Sequence, residues 1–221
     1  MSEVKYFWEL MQGTDEWKNA RQGLVTASEV KKIVTSTGKV SDSEGSRDAA
    51  YEILAQRLNP RLDDVEFYNG HMERGHTFEP FARDLYSENN EVVRECGIVI
   101  RDFGDYKIGF SPDGLVGDDG IIEIKCPTKT KHVREICLDQ PPKEHMLQMQ
   151  TGLLVTGRKW CDYISHYNGM HQRVYRVEPD YELHDAIKAA CYKLELFVQE
   201  KMKVYKEKTQ YFNLAKYEEA I

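Results

Sequence analysis

The stretch Gly120-Ile-Ile-Glu-Ile-Lys125 constrains this chain more than any other. Its run of isoleucines reads as a strand, and strand side chains alternate between two faces. Ile122 and Ile124 therefore share one face, and Glu123 and Lys125 share the other. If helices cover both sides of the sheet, the charged face is removed from water. A carboxylate in that position costs several kcal/mol unless it is paired or holds a metal ion. The competing reading is a surface hairpin decorated with charge, so the flanking sequence has to decide between the two.

Upstream lies Ser111-Pro-Asp-Gly114, and Gly117-Asp-Asp-Gly120 follows it. Both are turn sequences, and alone Asp113 reads as an ordinary turn residue. A hairpin bend at Asp118-Asp119 changes that, because it sets Asp113 opposite Ile124, within one residue of Glu123. Two carboxylates beside one lysine make an oxygen-rich site suited to Mg²⁺, with Mn²⁺ as the alternative ion. Such a site assists phosphodiester hydrolysis by activating a water and screening charge, and Lys125 is placed to act on that water. The order Asp, spacer, Glu-x-Lys resembles the PD-(D/E)xK nuclease superfamily, where a third acid upstream completes the site. Glu79 in "RGHTFEP" stands in that position, although alone it reads as a solvated helix charge. Gln148 and Gln150 in "HMLQMQ" read alone as polar helix surface.

The 221 residues suit one domain, 1–221, with an ordinary soluble balance of 41% hydrophobic and 30% charged residues. No apolar run approaches the roughly 20 residues of a membrane helix, and the start of the chain lacks a signal-peptide core. The expected setting is cytoplasmic, in a bacterial or phage-infected host cell, with no membrane partner. Five scattered cysteines without a C-x-x-C pair argue against structural zinc or an iron–sulfur cluster and for free, buried or half-buried thiols. The net charge of −7 counts mildly against a non-specific nucleic-acid binder. It leaves room for a nuclease whose basic residues are gathered in one channel.

Pattern and punctuation place the elements. "GTDEWKNARQGL" predicts a helix capped by Thr14, and "TASEVKKIV" a second helix opened by a capping box, Thr26 to Glu29. "SRDAAYEILAQRL" and "MERGHTFEPFARDLYSENN" follow as helices, then the β-rich "EVVRECGIVIRD" and "YKIGFS". A helix from Pro141-Pro142 stops at Gly157. Two strands pair around Asn168-Gly169, and a long helix spans about Tyr181 to Lys206. The expected fold class is α/β (α+β): a central mixed β-sheet flanked by helices, with a restriction-endonuclease-like PD-(D/E)xK core.

Five segments, "ARQGLVTASEV", "RGHTFEPFAR", "SPDGL", "EIKCP" and "QMQ", occur in an order and spacing that resembles the lambda exonuclease family, with its viral and bacterial alkaline exonucleases. The resemblance runs from about Glu16 to the end of the 141–157 segment. It implies a metal-dependent 5′→3′ exonuclease that degrades one strand of linear double-stranded DNA from a 5′-phosphorylated end. Asp113, Glu123 and the backbone carbonyl of Ile124 would hold Mg²⁺, Glu79 would assist, and Lys125 would act on the nucleophilic water. Arg21, Ser28, Ser111 and Lys131 would bind the 5′-phosphate. Gln148 would support the site, and Met72 would match an apolar wedge at the terminal base pair. Lys131 stands where the family carries arginine, keeping the charge without the bidentate fork. Gly38 replaces a basic residue, with Lys39 one place on. The resemblance also implies a ring-shaped homotrimer and a single-strand annealing protein as partner in recombination. Two other readings share the core, a RecB-like or restriction-type nuclease and a catalytically silent DNA-binding protein. A third, an interaction module with an exposed hairpin, shares only the motif.

Overall fold

The computed structural model describes residues 2–35, 37–60 and 70–215, with side chains for all of these except residues 70–73 and 76. Its elements in chain order are β1 Glu3–Phe7, α1 Asp15–Arg21, β2 Val25–Thr26, α2 Val30–Ile33, α3 Glu44–Leu58 and α4 Gly70–Asn89. Then come β3 Val93–Arg94, β4 Ile98–Asp102, β5 Lys107–Phe110, β6 Gly114–Val116, β7 Gly120–Lys125, α5 Lys129–Ile136 and α6 Lys143–Thr156. The chain closes with β8 Trp160–Ser165, β9 Arg173–Val177 and α7 Tyr181–Thr209.

The mixed α+β class is as expected, with the strands divided between two mixed sheets. One runs β1-β4-β5-β2 and the other β3-β6-β7-β8-β9. In the second sheet β7 pairs antiparallel with β6 and parallel with β8. Ile122 and Ile124 of β7 pack with Val116 and Ile164 against Ala82 and Tyr86 of α4. Ile121, on the opposite face, belongs to the larger core that includes Phe110, Leu153 and Tyr163. Helices therefore do cover both faces of β7, which is what removes Glu123 from water.

Two polar ties fix the helices over this sheet. Asp162 of β8, 2% exposed, accepts from the Tyr86 hydroxyl at 2.6 Å and from the Arg176 guanidinium through two 2.8 Å bonds. That arrangement satisfies the buried carboxylate and pins α4 to the sheet. Arg57 of α3 grips Glu195 of α7 with a bidentate pair, both bonds 2.8 Å.

Several expectations needed revision. Thr14 caps α1 as predicted, accepting from Trp17 N at 3.4 Å. The capping box at Thr26 does not form. Thr26 lies in β2, in parallel register with Gly109, and Ala27 N donates to the Gly109 carbonyl at 2.9 Å. The following helix is only Val30–Ile33, without a side-chain cap, and Glu29 instead pairs with Lys32. Sheet pairing overrides the local capping signal here. Among the thiols, Cys96, Cys161 and Cys191 are buried and Cys126 half-buried, but Cys137 is exposed.

Helix α6 reaches both sheets through a glycine. A Cβ at Gly152 would stand 2.7 Å from the Phe110 ring and 3.0 Å from Ile121. Alanine gains roughly 1 kcal/mol of helix propensity over glycine, whereas overpacking a tight core costs about 1–3 kcal/mol. The crowding wins, so Gly152→Ala should lower the urea midpoint. A raised midpoint would show that α6 can shift away from the sheets.

Candidate active site

The turn between β6 and β7 sets the geometry. The register is Gly114↔Ile122 and Val116↔Gly120, which continues to place Asp113 opposite Glu123 itself, one residue from the expected partner. Asp113 Oδ2 accepts from the Ile124 amide at 2.6 Å. Its carboxylate is thus bonded to the strand residue between Glu123 and Lys125. Glu123 is fully buried, and its Oε1 accepts from Lys125 Nζ. The other oxygen, Glu123 Oε2, is buried without a hydrogen-bond partner. The Lys125 side chain is 30% exposed and links this interior to solvent.

Glu79 arrives from α4, one helical turn before Arg83. Arg83 ties it to the hairpin: Nη2 donates to Glu79 Oε1 at 3.1 Å, Nε to the Asp113 carbonyl at 2.8 Å, and Nη1 pairs with Glu95 at 3.0 Å. Burial, reinforced by the charge of Asp113, raises the Glu79 pKa to about 8 against the opposing pull of Arg83. Burial likewise raises Glu123 to about 7, with Lys125 opposing and Asp113 adding to the rise. Burial works to lower the Lys125 pKa, but the Glu123 and Asp113 carboxylates outweigh it and the net shift is upward. Lys125 is therefore a firmly charged ammonium in the metal-free protein.

An orphaned buried carboxylate oxygen, with a second carboxylate bonded to the next residue of the strand, is a donor set that fits a hard divalent cation. Among the described residues no three His, Cys, Asp or Glu side chains form a group that could hold a metal between them. The candidate ligands are accordingly Glu123 and Asp113 with a main-chain carbonyl such as that of Ile124. Cys126 follows Lys125, and burial and then Glu79 push its thiol up to about 11.

A cavity of about 140 Å³ opens on the Ser111 side of these carboxylates. Arg21, Ser28, Ser111 and Gln148 line it together with Gln12 and Trp17. Arg21 Nη1 donates to Ser111 Oγ at 2.9 Å, and its guanidinium lies 4.3 Å from the Trp17 ring centre. Trp17 Nε1 reaches the same Ser111 hydroxyl at 3.0 Å. Ser28 is in the turn before α2, bonded to the Thr26 hydroxyl at 3.2 Å, and α2 itself is only four residues long. Lys131 does not line it. That ammonium is bonded to Glu144 and lies 3.9 Å from Glu135. Gln150 is turned away into the core, where its side-chain carbonyl accepts from Asp180 N and faces His184. Met72 falls on the backbone of α4, but its side chain is outside the described residues. Trp17 and Arg83 were missed in the sequence, although each stands four residues from a charged residue already singled out.

Residues 16–159 match the YqaJ-like viral recombinase domain. The chain belongs to that family. This YqaJ-like chain is also similar to an alkaline exonuclease from Laribacter hongkongensis, LHK-Exo, at 33% identity and a TM-score of 0.79, covering 90% of this chain and 100% of that one. The complex of LHK-Exo with dAMP gives 34% identity and the same TM-score and coverage. A phage-related exonuclease from Haemophilus somnus shares the fold at 18% identity and a TM-score of 0.54, covering 80% of this chain and 96% of that one. No curated protein matches the chain. The YqaJ-like family includes the lambda-type exonucleases, in agreement with the PD-(D/E)xK core read from the sequence. Among the described residues no helix is long and apolar enough to cross a membrane.

The raised carboxyl pKa values have a consequence for stability. A carboxyl raised on folding contributes stability that is complete below its unfolded value and is lost as pH climbs through its folded value. For Glu123 and Glu79 that window runs from about 4.5 to about 8. His145, held down to about 4 by burial and then by the charge of Lys125, has already lost its proton over the upper part of the window. The thermal midpoint in EDTA should fall between about pH 7 and about pH 8, and Glu79→Gln should flatten the fall. A midpoint that rises over that interval, or an unaltered slope in the variant, would contradict these assignments.

Proposed function

We propose that this protein is a divalent-metal-dependent 5′→3′ exonuclease that digests one strand of linear duplex DNA from a 5′-phosphorylated end. The observation that carries the reading is Glu123, fully buried with one oxygen unpartnered and the other held by Lys125, with Asp113 bonded to the next strand residue and a cavity containing Arg21 and two serines at Ser111. Family membership supports the coarser part of it, a nuclease acting on DNA.

Glu123, Asp113 and the Ile124 carbonyl would hold Mg²⁺, or Mn²⁺ in its place. A bound cation of that kind supplies a more acidic water and screens the charge of the phosphodiester. Lys125 orients the attacking water and offsets charge developing on the phosphate, its ammonium fixed by Glu123. Glu79 assists through Arg83 and the shared field of the carboxylates. Arg21 offers the terminal phosphate its second guanidinium nitrogen while Ser111 holds the first, and the Trp17 ring beneath the guanidinium holds its orientation. Ser28 adds a hydroxyl, and Gln148 stands at the cavity wall. Lys131 would have to leave Glu144 to join them, and Met72 enters the proposal only as an apolar residue near the duplex end. The ring-shaped homotrimer and the single-strand annealing partner implied by the resemblance belong to this proposal as well.

The test uses linear duplex phosphorylated at only one 5′ end, with Mg²⁺ or EDTA, following each strand separately. The phosphorylated strand should disappear first, and only with metal. Lys125→Ala should lower the rate by about 10²–10³-fold, the loss expected when one group that stabilises developing charge is removed. Arg21→Ala should retain digestion while losing the preference for the phosphorylated end. Equal loss of both strands, digestion in EDTA, or cutting of circular duplex would overturn the reading, the last in favour of a restriction-type enzyme.

A further inference from the structure

The segment Ser111-Pro-Asp113 crosses from one sheet to the other. Strand β5 ends at Phe110 in the first sheet, and β6 begins at Gly114 in the second. A neighbouring segment makes the reverse crossing, from Arg94 of β3 to Ile98 of β4. The antiparallel register nevertheless carries through the gap without a slip. Arg94 faces Leu115 on one side of it, and Val99 faces Phe110 on the other. The four strands are therefore one long ribbon, interrupted at 95–97 and 111–113, and Pro112 has no N–H with which to continue a ladder there.

Three side chains supply donors across the interruption. Trp17 Nε1 donates to the Gly97 carbonyl at 2.8 Å and to Ser111 Oγ at 3.0 Å. Gln12 Nε2 donates to the Cys96 carbonyl at 3.2 Å and to the Pro112 carbonyl at 2.8 Å. Arg83 Nε donates to the Asp113 carbonyl at 2.8 Å, while its Nη1 pairs with the Glu95 carboxylate at 3.0 Å. The bridges run in antiparallel order, 97 to 111, 96 to 112 and 95 to 113, so each stands where a rung of the ribbon would be. Main-chain polar groups that leave a ladder need partners of this kind.

The consequence falls on Asp113. The Pro112 carbonyl belongs to the planar peptide unit before its Cα, and the Asp113 carbonyl to the unit after it. Gln12 holds the first and Arg83 the second, so both backbone dihedrals of Asp113 are fixed by side chains from elsewhere in the fold. We infer that Gln12 and Arg83 are positioning residues for the divalent ion, pinning the peptide units on either side of Asp113 so that its carboxylate keeps the orientation that takes the ion with Glu123. This rests on the metal-dependent reading proposed above. It also gives a role to Gln12, which lies outside the family match at 16–159. For Arg83, charge and positioning differ in sign. A guanidinium near a dication repels it, so charge alone predicts tighter metal binding when Arg83 is removed. Positioning predicts weaker binding.

The test is a calorimetric titration of the full-length protein with Mn²⁺ in the absence of DNA, well below the thermal midpoint of each variant. Gln12 is exposed in the loop before α1, so replacing it spares the core. Gln12→Met keeps the side-chain length and removes both donated bonds. It should weaken Mn²⁺ binding on the order of tenfold, the lower end of the ~10–100-fold range for groups that orient metal ligands. Arg83→Met should weaken binding as well, although a positive charge has gone. The Mg²⁺ concentration giving half-maximal digestion of linear duplex should rise in step for both variants. Wild-type Mn²⁺ affinity in Gln12→Met, even with a lowered thermal midpoint, would show its bonds to be structural only and overturn the inference. Tighter Mn²⁺ binding by Arg83→Met would overturn it too. A wild-type protein that takes up no Mn²⁺ would overturn the metal-dependent reading itself.

Discussion

A carboxylate without access to water lies at the centre of the second sheet, and its nearest cation is two residues along the same strand. The remaining features of the site follow from accommodating Glu123 there. Lys125 satisfies one oxygen, Asp113 is brought alongside by the β6–β7 turn, and the second oxygen is left without a protein donor. Retaining an ionisable group in that setting is costly for stability alone, since a well-packed apolar residue would serve the sheet better. The cost is intelligible if the unsatisfied oxygen has chemistry to do.

The scaffold holds this arrangement from three directions. Tyr86, Asp162 and Arg176 fix α4 to the sheet, and Arg83 on the same helix reaches the Asp113 carbonyl. Gly152 lets α6 approach both sheets closely, and Gln148, one turn earlier, reaches the Arg21 cavity. The parallel pairing of β7 with β8 ends beside Lys125, where His166 N donates to the Lys125 carbonyl. The cavity beside Ser111 carries hydroxyls and a clamped guanidinium.

Much of this was legible in the sequence because its signals were periodic. Alternation in "GIIEIK" gave the two faces of β7, and paired turn signals gave a hairpin register correct to within one residue. What escaped had tertiary causes. Thr26 carries a capping signal, yet pairing with Gly109 draws it into a strand. Helix α5 buries His132 and Glu135 and leaves Val133 exposed, so the face it turns inward is the polar one. The strand β1 does alternate, with Val4 and Tyr6 against the core, but five residues at the start of a chain make a weak pattern until β4 supplies the partner. Lys131 was placed with the phosphate residues by likeness alone, and Glu144, distant in sequence, is what holds it elsewhere.

The account stands on the claim that Glu123 is buried in order to bind a divalent ion with Asp113. Anomalous diffraction from a crystal of the protein soaked in Mn²⁺ addresses this directly. The account predicts a manganese peak at coordinating distance from Glu123 Oε2 and an Asp113 carboxylate oxygen, absent from crystals of Glu123→Gln. A map without signal there, with Glu123 Oε2 satisfied by a protein donor, would show the buried charge to be structural and contradict it.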